Sequence, residues 1–201
     1  MDFITISRNI LEKRLQVLIE ERICPDQYVG KIMEFSEQFP IRSSVGDRPS
    51  KTKCLIMLLE SPHKEEFKKV VSPAKGTTGK LILKHILVVK ELSKFSDYGL
   101  ILMNAVQNQC SLGYSTGCYR DEVFISLWNN GAKENFIERL KGVYRQGDVI
   151  VNCCTKGKDP KQELRKLVQL SIPKDLGQIL RRTHPSSWYS AKNRKFEWEM
   201  T

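Results

Sequence analysis

Four short clusters of polar residues carry the side chains that could do chemistry. Glu60-Ser61-Pro62-His63 stands directly after the apolar run Cys54–Leu59, and Gly76-Thr77-Thr78-Gly79 leads into an apolar helical pattern. Asn104 ends a second apolar run and is followed by Gln107 and Asn108, and His184-Pro185-Ser186-Ser187-Trp188 follows the run 178–183. A further pair, Thr155-Lys156, follows the run 148–154. A carboxylate activates or positions water, a histidine stabilises a leaving anion, and an amide reads a planar polar ligand. Backbone N–H groups at a glycine-rich helix start face anions. Brought together, these residues make a hydrolytic site. Each has a structural alternative: Glu65 and Glu66 rival Glu60, Tyr189 rivals Trp188 as an exposed ring, and His85 falls on an apolar helix face and reads as a core histidine. The three histidines are scattered and no CxxC pair is present, so no zinc site is expected. The stretch Lys75 to Leu81 is not a phosphate-binding P-loop, because Ala74 replaces its first glycine and Leu81 its hydroxyl residue.

The elements that must position these clusters follow from periodicity. Cys54–Leu59 is continuously apolar and bounded by polar residues, which predicts a strand buried on both faces of a parallel sheet. Similar runs at 98–106, 148–154 and 178–183 predict three more strands. Helical spacing predicts a helix starting near Lys80, one or two helices over 121–144 broken near Asn129-Asn130-Gly131, and a helix over 160–170. Strands alternating with helices imply right-handed crossovers and a parallel sheet with helices on both sides. The expected fold is therefore α/β, a three-layer αβα arrangement with a central, mostly parallel four-stranded sheet. Ile10, Leu11, Leu15, Leu18 and Ile19 repeat at helical spacing, Pro25 interrupts them, and a second helix is expected over 26–39. Residues 41–53 read as a loop. Two units are expected, an N-terminal helical segment over 1–50 packed on an α/β domain over 51–201. Ligands in such sheets bind at the carboxyl ends of the strands, where all the polar clusters fall.

Charge narrows the partner. Of the net +10, residues 1–50 contribute none: they carry 7 basic and 8 acidic side chains, against 26 basic and 15 acidic in 51–201. The positive excess thus lies in the part with the sheet pattern, which suits a phosphate backbone. No apolar run approaches the roughly 20 residues that span a bilayer, and Met1-Asp2-Phe3 lacks the basic start of a signal peptide. A cytoplasmic location is expected, without membrane attachment. The six cysteines (24, 54, 110, 118, 153 and 154) are expected to be free thiols in that compartment.

Glu60-Ser61-Pro62, then Pro73-Ala74-Lys75-Gly76-Thr77-Thr78-Gly79-Lys80-Leu81-Ile82, then strand-ending Asn104, then His184-Pro185-Ser186 together resemble the uracil-DNA glycosylase superfamily, most closely its iron–sulfur branch. That branch has a G-E-x-P-G loop, a P-F-x-G-x-x-G-x-L-L segment, a strand-ending asparagine and an H-P-S loop. The agreement in order and approximate spacing covers residues 53–190. The resemblance implies an enzyme that flips a nucleotide out of duplex DNA and hydrolyses its N-glycosidic bond, leaving an abasic site. It implies that Glu60 positions water or stabilises an oxocarbenium-like sugar, that His184 stabilises the departing base, and that Asn104 reads the base edge. Ser61, Ser186, Ser187 and the backbone around Gly76, Thr77 and Gly79 would hold phosphates, Pro62 and His63 would contact base or DNA, and Trp188 would wedge into the stack.

The departures from that pattern are informative. Leu59 and His63 stand where the loop has glycines. Cysteines at cluster spacing are missing, so neither an iron–sulfur cluster nor any other cofactor is expected. Ala74 replaces a phenylalanine that stacks on uracil, which points to a base larger than uracil, such as the glucosylated cytosines of phage DNA. The expected protein is a monomeric DNA glycosylase acting in antiphage defence or base-excision repair. Two other classes compete with it: a DNA-binding member of the fold without turnover, and an N-glycosidase acting on small nucleosides or nucleotides.

Overall fold

The computed structural model describes residues 2–10, 22–112 and 117–200. Leu11, Leu15, Leu18 and Ile19 of the expected first helix lie outside them.

The architecture is mixed α/β around one six-stranded sheet with strand order β2-β1-β4-β3-β5-β6. The elements in chain order are α1 (Phe3–Ile10), β1 (Gln27–Lys31), β2 (Ser43–Ser44), β3 (Cys54–Leu59), α2 (Thr77–His85) and β4 (Gly99–Asn104). They continue with α3 (Arg120–Leu127), α4 (Lys133–Val143), β5 (Val149–Asn152), α5 (Leu164–Ser171), β6 (Gln178–Arg181) and α6 (Ala191–Lys195). The four expected strands are β3, β4, β5 and β6, all mutually parallel, with β3 inside.

All six side chains of β3 are buried. They alternate between two cores as strand geometry requires. Cys54, Ile56 and Leu58 join a cluster with Phe3 and Ile6 of α1, Phe124 of α3, Phe136 and Leu140 of α4 and Val168 of α5. Leu55, Met57 and Leu59 join the cluster on the other face, with Ile82 of α2 and Trp188. Five of the six cysteines are buried free thiols. The break expected between two helices is present: α3 passes into a π turn at residues 128–132, where Gly131 adopts φ 108°, and α4 follows.

Two further strands correct the four-stranded expectation. The helix expected over 26–39 is instead β1 followed by a single 3-10 turn at Ile32–Glu34. Tyr28, Ile32, Phe35 and Phe39 do recur at helical spacing, but Tyr28 enters one core and Val29 the other, the alternation of a strand. Gly30 lies at φ +96°, and a β-carbon there would stand 2.4 Å from the Pro40 ring, so the chain bends sharply just where a helix would continue. β1 runs antiparallel to β4, with Tyr28 beside Ile101, and β2 within the expected loop runs antiparallel to β1.

The segment 1–50 is tied to the rest at several points. Arg139 of α4 grips both carboxylate oxygens of Asp26 at 2.9 and 2.7 Å and donates to the Asn104 carbonyl at 3.0 Å. Arg42 donates to Gln27 Oε1 at 3.1 Å and to the Pro73 carbonyl at 2.8 Å. Arg48 meets Asp148, the residue before β5, at 2.7 Å with both side chains almost fully enclosed.

Candidate active site

The parallel strands deliver their carboxyl ends to one edge. Beyond the last paired residues, Leu59 and Glu60 each accept a backbone hydrogen bond from the chain after β4, from Ala105 at 2.7 Å and Val106 at 3.0 Å. This lacing fixes the backbone of Glu60, whose side chain is only 8 % exposed. One carboxylate oxygen, Oε1, lies 3.8 Å from Nη1 of Arg120, and the other, Oε2, lies 3.5 Å from Nε2 of His184. Oε2 is buried and, among the described residues, makes no hydrogen bond. A buried carboxylate oxygen without a donor is costly, and Glu60 lines a cavity.

His184 begins the turn at Pro185–Ser187 that follows β6, and its ring caps that turn. Ser186 N–H donates to Nδ1 at 3.2 Å, and Ser186 Oγ lies 2.8 Å from the same nitrogen. The backbone donor makes Nδ1 an acceptor, so in the neutral ring the proton sits on Nε2, the nitrogen facing Glu60. Burial pushes His184 below the usual histidine value; Glu60 pulls it up and Arg120 pushes it down. Around neutral pH the ring is therefore an uncharged N–H donor. Ser187 Oγ donates to the His184 carbonyl at 2.7 Å and braces the turn.

The cavity holds about 400 Å³, within the range of pockets that enclose small ligands. Glu60, Ser61, His63 and Glu66 form one wall, Gly76, Thr77 and Thr78 another, and Ser111, Arg120, Thr155, His184 and Ser186 the remainder. Gly76 caps α2 without a side-chain hydrogen bond, which leaves the first N–H groups of α2 without that acceptor, and Gly76, Thr77 and Thr78 line this space. Buried hydroxyls of Ser61 and Thr155 and Nε2 of His63 also lack hydrogen-bond partners among the described residues. The unmet polar atoms thus include donors and acceptors, as a polar ligand would need.

Three carboxylates compete for the role of base, and their partners separate them. Glu65 is paired with Lys68 at 2.8 Å near the surface. Glu66 is buried, but one oxygen accepts from His63 N–H at 2.6 Å and the other from Ala74 N–H, so both are spent stapling the loop. Burial raises Glu66 to about 7 despite those two bonds. Glu60 alone of the three presents an unpartnered oxygen beside His184.

The edge gathers Glu60, Ser61, His63, Gly76, Thr77, His184 and Ser186 as expected, and leaves others outside the cavity wall. Asn104 is 1 % exposed and donates to Cys24 Sγ at 3.6 Å, away from the cavity. The reason is parity. Leu100 and Leu102 of β4 enter the same core as Leu59, so Asn104 continues to that face while Glu60, one residue past Leu59, turns to the opposite one. Trp188 is fully buried, with its indole N–H on the Thr183 carbonyl at 3.0 Å, and fills the core beneath the turn instead of projecting as a wedge. Its neighbour Tyr189 is 73 % exposed. Pro62, Ala74 and Gly79 are buried behind the wall.

Gly79 is there for a steric reason. A β-carbon on it would stand 1.9 Å from the Ala74 carbonyl oxygen, so α2 could not approach the turn that orients its first N–H groups. Gly79→Ala is expected to destabilise the fold by roughly 1–3 kcal/mol despite better helix propensity; urea unfolding measures it, and a neutral or stabilising result would refute this packing account.

Arg120 was not singled out from the sequence. It starts α3 directly after Tyr119, which adopts a left-handed φ of 56°. Nε and Nη2 both lie 2.8 Å from Asp121 Oδ1. The only trace of this in the chain is a basic-acidic pair opening a helix. Among the described residues no group of three histidines, cysteines or carboxylates could hold a metal ion. No described helix is long and apolar enough to cross a membrane. No family model matches the chain, and comparisons with curated proteins and with solved structures likewise give no match.

Proposed function

We propose that this protein is a DNA glycosylase resembling the uracil-DNA glycosylase superfamily, which takes a flipped nucleotide at the carboxyl edge of its sheet and hydrolyses the N-glycosidic bond. The observation that carries this reading is the unpartnered Glu60 Oε2 set 3.5 Å from the Nε2–H of His184 over a polar cavity. In the reaction water forms a bond to C1′ and the C1′–N bond breaks, its electron pair leaving with the base. Glu60 accepts the hydrogen bond, and then the proton, of the attacking water and offsets positive charge on the sugar. His184 donates Nε2–H to the anionic base without having to surrender its proton. The open N–H groups of α2 face a phosphate flanking the flipped nucleotide. The positive excess of residues 51–201 favours a polymer over a free nucleoside. A cavity of about 400 Å³ leaves room beyond a plain pyrimidine, which supports a modified cytosine as the base and a role in antiphage defence ahead of uracil repair. The enzyme would act in the cytoplasm as a monomer on double-stranded DNA.

The test is an abasic-site assay on duplexes containing uracil, hypoxanthine, hydroxymethylcytosine or glucosylated hydroxymethylcytosine. Alkali-labile breaks with one modified cytosine are expected, reduced about 10²-fold or more in His184→Ala. No breaks with any base would reject the glycosylase reading, and release from a free nucleoside but not from an oligonucleotide would replace it with a small-molecule hydrolase.

A further inference from the structure

The charges around His184 form a row. Lys158 N–H donates to Asp121 Oδ2 at 2.5 Å, Asp121 Oδ1 holds Arg120 at 2.8 Å, Arg120 Nη1 faces Glu60 Oε1 at 3.8 Å, and Glu60 Oε2 faces His184 at 3.5 Å. We propose that Arg120, anchored by Asp121, is a positioning residue that balances the Glu60 charge felt by His184 and so keeps that ring a neutral Nε2–H donor during turnover. This rests on the glycosylase reading for its functional meaning, but not for its test.

The need for a balance follows from the geometry. A carboxylate 3.5 Å from an imidazole favours the imidazolium. A protonated His184 would close on Glu60 as an ion pair, and the oxygen meant for water would be occupied. The guanidinium on the far oxygen opposes this. It is 13 % exposed and pinned by Asp121, so it cannot swing away to solvent. Asp121 is itself pinned by the Lys158 backbone, and a β-carbon on nearby Gly157 would stand 3.1 Å from Asp121 Oδ2. The charged groups that act on His184 are Glu60 from the end of β3 and Arg120 from the start of α3, with opposite signs, while burial adds to the effect of Arg120. Ser186, on the same turn, is uncharged and holds the other ring nitrogen; His63, Glu65 and Glu66 share the cavity wall.

The experiment is a pH titration of the ¹⁵N-labelled imidazoles in the full chain by NMR, with no substrate present. The His184 midpoint is expected to rise by about one pH unit in Arg120→Gln, to stay near its starting value in Arg120→Lys, and to fall in Glu60→Gln, where Arg120 acts unopposed. An unmoved His184 midpoint in a folded Arg120→Gln protein overturns the proposal. Should that variant not fold, Arg120→Met keeps the aliphatic stem, removes the charge and must raise the midpoint; no change there overturns it equally. If base release is found, the acid limb of its pH profile moves up in Arg120→Gln together with the midpoint. A protein that releases no base yet shows these shifts removes the glycosylase reading and leaves the charge balance intact.

Discussion

Glu60→Gln is expected to lower base release by about 10³-fold while leaving DNA binding and its salt dependence unchanged. The substitution keeps size and shape but removes the only unpartnered carboxylate oxygen facing His184. In the proposed reaction the lost charge would be needed twice, to take the water proton and to oppose charge on the sugar. On the proposed reading binding would survive, because phosphate contacts would come from the basic side chains of residues 51–201 and the start of α2. Single-turnover base release and fluorescence anisotropy on the same duplex separate the two effects. A Glu60→Gln protein that releases base at the wild-type rate would end the assignment and move attention to Glu66, the other buried carboxylate in the wall.

The second large effect is on stability. Asp148→Ala is expected to cost about 3–5 kcal/mol and to lower the melting temperature by on the order of 10 °C. Asp148 takes Arg48 on both oxygens, at 2.7 and 3.1 Å, and also accepts from the backbone N–H of Cys54 and Arg145 at 2.8 Å each. One carboxylate thus starts β3, ends the turn before β5 and neutralises a buried guanidinium. Removing it strands the Arg48 charge, since that side chain is 2 % exposed and its other bond described here, to the Val143 carbonyl, is 3.3 Å long. Replacing the pair together, Arg48→Met with Asp148→Leu, is expected to recover a large part of the loss, because no charge is then left without a partner. Urea unfolding of the three proteins checks this; a single mutant within 1 kcal/mol of wild type would show that water reaches the pair.

Some of this architecture is legible along the chain. Cys54–Leu59 has no polar residue to place outside, so it can only be a strand covered on both faces, and that is where β3 lies. Polar residues crowded behind apolar runs marked Glu60 and His184, because parallel strands deliver their ends to one edge. The paired Asn130 and Gly131 announced the break between α3 and α4. What was hidden depended on neighbours far away in sequence. β1 is five residues long and contains a glycine, too short for its alternation to outweigh the helical spacing that continues to Phe39. Asn104 and Glu60 both end strands, yet one residue of register sends their side chains to opposite faces of the sheet. Trp188 and Tyr189 are equivalent rings on paper, and only the packing beneath the turn buries the first and exposes the second. Arg120 gains its meaning from Glu60, a partner sixty residues earlier that no local pattern connects to it.

The ties of the first fifty residues have a consequence for how this molecule comes apart. Asp26, Arg42 and Arg48 each reach a different part of the later chain, and β1 covers the flank of β4. Described residues of that segment are buried in cores completed by the later chain, Phe3 and Tyr28 in one and Val29, Ile32 and Phe39 in the other. Opening this edge would therefore uncover β4, release the turn at Pro73 and leave Asp148 unpaired in one event. Melting of the edge and of the cavity should be a single cooperative step, with no surviving 51–201 fragment for a protease to trim to.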